Sequence, residues 1–216
     1  MKDSVNQLIE KLASTLNFFD FTFIVSGFLT CTIIYYTLGL FIEISVPDNT
    51  ALNIISGIIF VYICGILSFV GGKKIRTCFM VKRFIQVYST SISAENRRVL
   101  DKNKRLNVDN FSADDFNQLY TRMWVDLRHD ENGIETVRYL NRSVMMQSIC
   151  EGLLFSSLLM VISSLVFYIQ NQNIYVFIVG ALSVLSAYFF KCEAQRSAEI
   201  QIKELVSAYY KFVLNA

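Results

Sequence analysis

Glu151 is the residue whose type and position point most directly to chemistry. It lies just inside the apolar run Ile149–Ile169, which contains no Lys or Arg. A carboxylate within a membrane is costly, so it is by default a candidate proton site or pore-lining group. Arg142 and Gln147 precede the run, so a carboxylate that snorkels or forms a salt bridge at the membrane boundary is the simpler interpretation. We predict Glu151 to be an intramembrane polar residue.

Arg122 and His129 form a second candidate pair. Their Arg-x6-His spacing resembles the motif of the HEPN ribonuclease family, although Met123 stands where that family usually has a polar residue. The resemblance implies a membrane-anchored ribonuclease; the alternative is a surface Arg and His on the rim of a helix. No Gly-rich phosphate loop, GxSxG, HExxH or zinc-ligand spacing is present. We therefore predict no enzyme, with no catalytic residue, cofactor or metal site.

The segment from Ser112 to Asp130 predicts an amphipathic helix. Ser112 is a suitable N-cap, Asp114 and Asp115 suit the first turn, and apolar side chains then recur at helical spacing. This helix most simply builds the core of a cytoplasmic domain. It is also our candidate surface for a partner or ligand, with these proposed contact residues: Phe116, Tyr120, Arg122, Met123, Trp124 and Arg128.

Four apolar stretches that contain no Lys or Arg predict the helices that position these residues. They are Phe21–Ile42, Asn53–Val70, Ile149–Ile169 and Ile174–Phe190. Two of the twenty basic residues precede the first stretch, fourteen lie in residues 71–148, and four follow Phe190. Cytoplasmic loops carry the excess of Lys and Arg. The pattern predicts four spans, with both termini and one large loop in the cytoplasm.

The predicted fold class is an all-α polytopic membrane protein. Four transmembrane helices form two hairpins, with a helical cytoplasmic insert and a C-terminal helix. The second span is expected to continue as a helix into the cytoplasm, followed by a break at residues 89–93 (STSIS) and a short charged helix. The predicted domains are an interfacial amphipathic helix (1–20), hairpin one (21–71), the cytoplasmic domain (72–148), hairpin two (149–190) and the C-terminal helix (191–216).

A basic cluster directly follows the second span. Its members are Lys73, Lys74, Arg76, Lys82 and Arg83. Such a cluster on the inner leaflet attracts anionic lipid by roughly 1 kcal/mol per charge. We predict inner-leaflet lipid contact here; the alternative is a topology signal with no lipid site.

Hydroxyl-bearing side chains are scattered through the spans, and Ser183 with Ala187 gives a small-xxx-small spacing. In lipid, helices associate through small residues and interhelical hydrogen bonds. We expect packing of the bundle or contact between identical copies, with a solute path as the alternative.

The arrangement of two spans, a helical insert, two spans and a helical tail resembles small four-span proteins of bacterial anti-phage defence loci. Examples are the four-span effectors of cyclic-oligonucleotide systems and the membrane subunit of Kiwa systems. The resemblance is one of architecture. It implies a homo-oligomeric sensor or effector in the bacterial inner membrane that recruits a cytoplasmic protein or small ligand. The alternatives are an oligomeric channel or transporter, and the ribonuclease. Besides membrane lipids, no direct nucleic-acid partner is expected, because the net charge is only +2.

Overall fold

The computed structural model describes residues 18–39, 41–42, 50–99, 105–108, 111–130 and 133–214. These residues form α-helices and connecting turns, without a strand, which confirms the all-α prediction for this part of the chain. The helices are α1 (Phe18–Leu38), α2 (Thr50–Arg98), α3 (Ala113–His129), α4 (Ile134–Asn171) and α5 (Ile174–Tyr209), and a π-helical turn follows at Tyr210–Leu214. The predicted N-terminal amphipathic helix and most of the first link lie outside the described residues.

Three of these helices are long and apolar enough to cross a membrane. The qualifying stretches are Asn53–Cys78, Glu135–Gln170 and Ile174–Val213. The apolar part of α1, Thr22–Leu38, falls below the length of a span among the described residues. Apolar side chains such as Ile58 and Leu185 are exposed on these helices. This composition is that of a membrane protein.

The chain divides into two compact units. The first, here called the apolar unit, comprises Met1–Lys74 and Ser148–Lys191, and the second, the head unit, comprises Ile75–Gln147 and Cys192–Ala216. Helices α2, α4 and α5 each contribute residues to both units. The predicted continuation of the second apolar stretch as a helix is confirmed, and α4 and α5 likewise extend beyond the third and fourth stretches.

The predicted break at residues 89–93 is wrong, because α2 runs through it to Arg98. The hydroxyls of Thr90 and Ser91 bond back to carbonyl oxygens one turn earlier, at 2.8 and 2.7 Å, instead of competing with the helix. Tyr88 and Ile92 are buried in the core of the head unit. Tertiary packing of this face therefore outweighs the weak helix propensity of the serines and threonine.

The predicted start of α3 is confirmed in atomic detail. The Asp115 backbone N–H donates to the Ser112 hydroxyl, and the Ser112 backbone N–H donates to the Asp115 carboxylate at 2.8 Å, which makes a reciprocal capping box. Hydrogen bonds from the Ser112 side chain and backbone hold the pKa of the Asp115 carboxyl below its ordinary value. The helix ends at His129, before Asp130, as its sequence indicated.

One apolar core holds the head unit together. α3 contributes its buried face, with Met123 and Leu127 fully enclosed, and the facing side chains come from α2, α4 and α5. The other helices supply, among others, Tyr88, Ile92, Leu140, Ile202, Leu205 and Val206. Asn96 holds the backbone at Leu106 against the end of α2. Its side-chain NH2 donates to the Leu106 carbonyl, and its side-chain oxygen accepts from the Leu106 N–H.

In the apolar unit, glycines allow very close approach of the helices. A Cβ at Gly27 would collide with the Val61 carbonyl, and one at Gly65 with the Phe23 carbonyl. α1 and α2 therefore touch backbone to backbone, a contact that only glycine permits. Such contact supplies the dispersion energy that drives helix association where no water is available to be expelled.

Candidate functional sites

A ladder of small polar residues joins α1 to α4 inside the apolar unit. The hydroxyls of Thr30 and Ser156 lie 2.7 Å apart, and those of Thr37 and Ser163 lie 2.6 Å apart. Both pairs are separated by 126 positions in the sequence, and Ser26 likewise contacts Gly152. A constant offset means that α1 and α4 run parallel and in register.

Thr30 is the centre of this polar network, because its hydroxyl also lies 2.7 Å from that of Ser68 on α2. Ser68 and Ser156 each have a second acceptor, the carbonyls of Cys64 at 2.6 Å and Gly152 at 2.9 Å. All three hydroxyl-bearing residues are buried. The arrangement holds three helices together and matches the packing role expected for the hydroxyls of the spans.

Ser183 and Ala187 are also used within the chain. Both are buried, and a Cβ at the neighbouring Gly180 would lie 3.2 Å from the Cβ of Ser164 on α4. The small-residue stripe of α5 therefore packs inside the apolar unit. It is not an open surface for a second copy.

Glu151 is almost fully enclosed, with 1% of its surface exposed. The backbone of Gly72 lies against its backbone carbonyl, so α2 and α4 are in contact at this point. Gly71 likewise contacts Phe155, one turn further along α4, which makes α2 antiparallel to α4. Glu151 thus does not extend into solvent as a snorkelling carboxylate would.

The five predicted lipid-contact residues lie in different environments. Lys73 and Lys74 are exposed. Arg76, by contrast, is only 5% exposed and stacks on the Phe84 ring at 4.9 Å, so its guanidinium belongs to the head unit and not to a lipid surface. Arg83 forms a 2.6 Å ion pair with Glu199, and the side chain of Lys82 lies outside the described residues. Lipid contact stays a prediction for Lys73, Lys74, Lys82 and Arg83, the last of which is 61% exposed.

The predicted partner-binding residues on α3 also fall into two groups. Phe116, Met123 and Trp124 are buried in the head core, where they are not accessible to a partner. Arg122 and Arg128 are exposed, and the Arg128 guanidinium stacks on the Trp124 ring at 5.4 Å. Tyr120 is half-buried. Partner binding stays a prediction for Arg122, Arg128 and Tyr120.

The outer face of α3 carries a shallow, open depression that the sequence analysis did not single out. Arg122 pairs weakly with Asp126 at 3.6 Å, and the Tyr209 hydroxyl donates to the same carboxylate at 3.3 Å. Val125, which is 46% exposed, is the apolar residue of this face. The lining residues are Asn117, Gln118, Thr121, Arg122, Val125 and Asp126. In the sequence, this face is marked by polar residues that recur every four positions along α3, such as Gln118, Arg122 and Asp126.

The proposed ribonuclease pair is not joined by a hydrogen bond that would mark a catalytic arrangement. His129 Nδ1 lies 2.8 Å from the Val125 carbonyl of its own helix, and Arg122 is engaged by Asp126. Seven residues along a helix separate two Cα atoms by about 10 Å. The ribonuclease hypothesis is neither supported nor tested by this geometry.

A polar cluster inside the head core was missed by the sequence analysis. The Gln201 amide donates to the Tyr120 hydroxyl, and the rings of Tyr88 and Trp124 lie 6.2 Å from the Tyr120 ring. Burial raises the pKa of Tyr88, as does the nearby Tyr120. Burial also raises the pKa of Tyr120, while the polar groups of Trp124 and Gln201 and the positive charges of Arg76 and Arg128 lower it. Gln201 interrupts the apolar stripe of the C-terminal helix, and that interruption was the available signal.

No group of His, Cys, Asp and Glu suited to a metal ion occurs among the described residues. No known family model matches the chain, and no curated protein or solved structure is significantly similar to it.

Proposed function

We propose that the chain is a four-span inner-membrane protein with both termini in the cytoplasm. It forms homo-oligomers and acts as a sensor or effector of bacterial anti-phage defence, and its head unit binds a cytoplasmic protein or small ligand. The charge distribution along the sequence and the resemblance in architecture support the location and the context. The division into an apolar unit and a separately packed head unit supports the two roles.

The outer face of α3 is the observation that carries the binding role. Core packing uses the opposite face of this helix and leaves Arg122, Val125 and Arg128 exposed, where a partner can reach them. Arginine at the rim of an exposed apolar residue is typical of protein interfaces. Because α2, α4 and α5 contribute to both units, a partner on the head unit engages elements that also form the spans.

Reporter fusions test the topology. A reporter that is active only outside the cytoplasm should be active when inserted at Gln172, in the turn between α4 and α5, and inactive after residue 216. Activity at neither position, or at both, would contradict four spans with cytoplasmic termini.

Charge reversal on α3 tests the function. Cells expressing the wild type with its genomic neighbours should survive phage infection better than cells carrying an empty vector. Replacing both Arg122 and Arg128 with Glu should abolish protection and partner cross-linking without changing the membrane level of the protein. Arg138→Glu, an exposed change on another helix of the head unit, is the matched control. No protection by the wild type refutes the defence role, and full protection by the double variant refutes the α3 surface.

The two alternative functions have separate tests. A channel or transporter should give conductance or solute flux in proteoliposomes that contain the purified protein alone. A ribonuclease should cleave RNA, and cleavage that survives Arg122→Ala or His129→Ala would exclude the resemblance to HEPN enzymes. The proposal of a sensor or effector requires neither activity from the isolated protein.

A further inference from the structure

Two arginines lie on either side of the contact line between α4 and α5 in the head unit. The Ser143 hydroxyl donates to the Ser197 carbonyl at 3.1 Å, so the two helices touch at this point. Arg142 and Arg196 each directly precede one of these serines, and both are exposed. A turn of two residues joins α4 to α5, so the helices are antiparallel. Because each residue turns a helix by about 100°, equivalent positions on antiparallel neighbours lie on the same side of the pair.

The spacing of the two helices lets both guanidinium groups reach a common ligand. The axes of packed helices are about 8–10 Å apart. Long arginine side chains that start on the same side of such a pair can converge over the line of contact. A phosphate at that position would accept hydrogen bonds from both guanidinium groups, whose planar fork matches its oxygens.

Neither arginine is held firmly within the chain. In the part of the chain that the structure describes, Arg142 makes no hydrogen bond, ion pair or ring contact. The Arg196 guanidinium lies 3.7 Å from the Glu193 carboxylate, and their side chains are 72% and 36% exposed. Such an exposed pair contributes little to stability, because solvent screens it. Two guanidinium groups beside one carboxylate leave the contact line with a net positive charge.

Exposed apolar side chains accompany the arginines. Tyr139 and Met146 lie one helical turn from Arg142, and they are 54% and 50% exposed. Ile200, one turn from Arg196, is 37% exposed. Residues three or four positions apart lie on the same face of a helix. A face that combines tyrosine, aliphatic side chains and arginine is typical of segments at the surface of a membrane.

Both arginines lie at nearly the same distance from the apolar stretches. Arg142 is seven residues before Ile149 and Arg196 is six residues after Phe190, which corresponds to about 10 Å and about 9 Å along continuous helices. The headgroup layer of a bilayer is roughly 5–8 Å thick on each side. Arginine side chains extend back toward this layer while their stems cover apolar surface. In the proposed topology, the two guanidinium groups therefore reach the headgroups of the inner leaflet.

We propose that Arg142 and Arg196 together bind the phosphate of an anionic phospholipid of the inner leaflet. The inference rests on the proposed topology, and it names residues other than the predicted lipid contacts on α2. A second copy of the chain is a poor occupant, because a symmetric pair through this face would bring four arginines together. An anionic lipid instead supplies the negative charge that the face lacks.

Native mass spectrometry of the full-length protein, released from a mild non-ionic detergent, tests the site. The protein is titrated with phosphatidylglycerol or with phosphatidylcholine of the same acyl chains, and the wild type should bind phosphatidylglycerol more tightly. Replacing both Arg142 and Arg196 with Gln should raise the apparent dissociation constant for phosphatidylglycerol roughly tenfold to thirtyfold, the effect of two charges near an anionic headgroup. The constant for phosphatidylcholine should change less, because its choline group offsets the charge of the phosphate.

Replacing both Arg97 and Arg98 with Gln is the matched control. These residues are exposed at the far end of α2, and the change in net charge is the same. The control should bind phosphatidylglycerol as the wild type does. Equal affinities of the wild type and the Arg142 and Arg196 double variant, or an equal loss in the control, would overturn the proposal. Displacement of the lipid by millimolar inorganic phosphate would overturn the choice of a lipid as the occupant.

A second measurement needs no variant. A lipid that binds the folded state alone should raise the unfolding temperature of the wild type progressively with the concentration of phosphatidylglycerol, relative to phosphatidylcholine. An unfolding temperature that is the same with both lipids contradicts the proposal even if the double variant fails to fold. The reporter fusions read the topology independently, so failure of this site is distinguishable from failure of the proposed topology.

Discussion

Replacing Thr30 with Val isolates the contribution of the polar network that joins α1, α2 and α4. The substitution keeps the shape of the side chain and removes the hydroxyl that contacts Ser68 and Ser156 at 2.7 Å each. Both serines retain a carbonyl acceptor in their own helices, so neither is left unpaired. The measured change therefore reports the interhelical bonds alone.

The expected magnitude follows from counting protons. The hydroxyls of Thr30, Ser68 and Ser156 supply three protons. Four contacts compete for them, two between hydroxyls and two with the carbonyls of Cys64 and Gly152, so only some of these contacts are hydrogen bonds at any one time. Loss of Thr30 removes between one and two bonds. Interhelical hydrogen bonds in membranes contribute about 0.6 kcal/mol each, so we expect a loss of about 0.6–1.2 kcal/mol.

The assay is reversible unfolding in mixed micelles, in which the free energy of unfolding is obtained by titration with a denaturing detergent. Thr32→Val is the matched control, because the Thr32 hydroxyl bonds only to the Phe28 carbonyl of its own helix, on an exposed face. If Thr30→Val is as stable as the control, the hydroxyls do not hold the helices together. A loss above about 3 kcal/mol would equally refute the reasoning, because it would mean that a buried group had been left unpaired.

Three further outcomes follow from the packing. Leu127→Ala, at a fully buried position, should destabilise the head unit by about 2–5 kcal/mol in thermal or chemical unfolding, while Val125→Ala on the exposed face should cost little; similar effects would contradict the assigned core. Gly65→Ala should destabilise the apolar unit because its Cβ would meet a backbone carbonyl, whereas Gly57→Ala, with open space around it, should stabilise α2 by about 0.4–1 kcal/mol in the same micelle assay. The lowered pKa of Asp115 means that its capping contribution is present above its unperturbed pKa of about 3.9 and is lost as the pH falls through the folded-state value. The protection factors of the amides in the first turn of α3, which compare each exchange rate with the intrinsic rate at the same pH, should therefore fall there, and an equal fall in Asp115→Asn would contradict the assignment.

Local patterns predicted the helices wherever a strong signal marked them. The capping residues before α3 set its start, because the first N–H groups of a helix need acceptors that Ser and Asp provide. The long apolar runs required helices, since backbone groups in lipid must bond within their own segment. The prediction of a break at residues 89–93 was wrong because it rested on the low helix propensity of Ser and Thr alone. The sequence does not show the core against which Tyr88 and Ile92 pack.

The sequence predicted which residues belong to the candidate sites better than it predicted what each residue does there. The sequence identified the aromatic residues of α3, but only the fold shows that Phe116 and Trp124 face inward while Arg122 and Arg128 face outward. The cluster around Tyr120 joins residues from three helices that are far apart in the chain. No local pattern could have brought Tyr88 and Gln201 together.

By itself, the sequence determined that the chain is helical and that its apolar and basic residues are segregated, because length, period and charge are local properties of a segment. Tertiary structure decided which polar groups meet. The contact of Thr30 with Ser68 and Ser156, the enclosure of Glu151 and the hydrogen bond from Gln201 to Tyr120 depend on how helices approach one another. That approach is set by the glycines that let backbones touch and by the side chains that fill the head core, which act across long distances in the sequence.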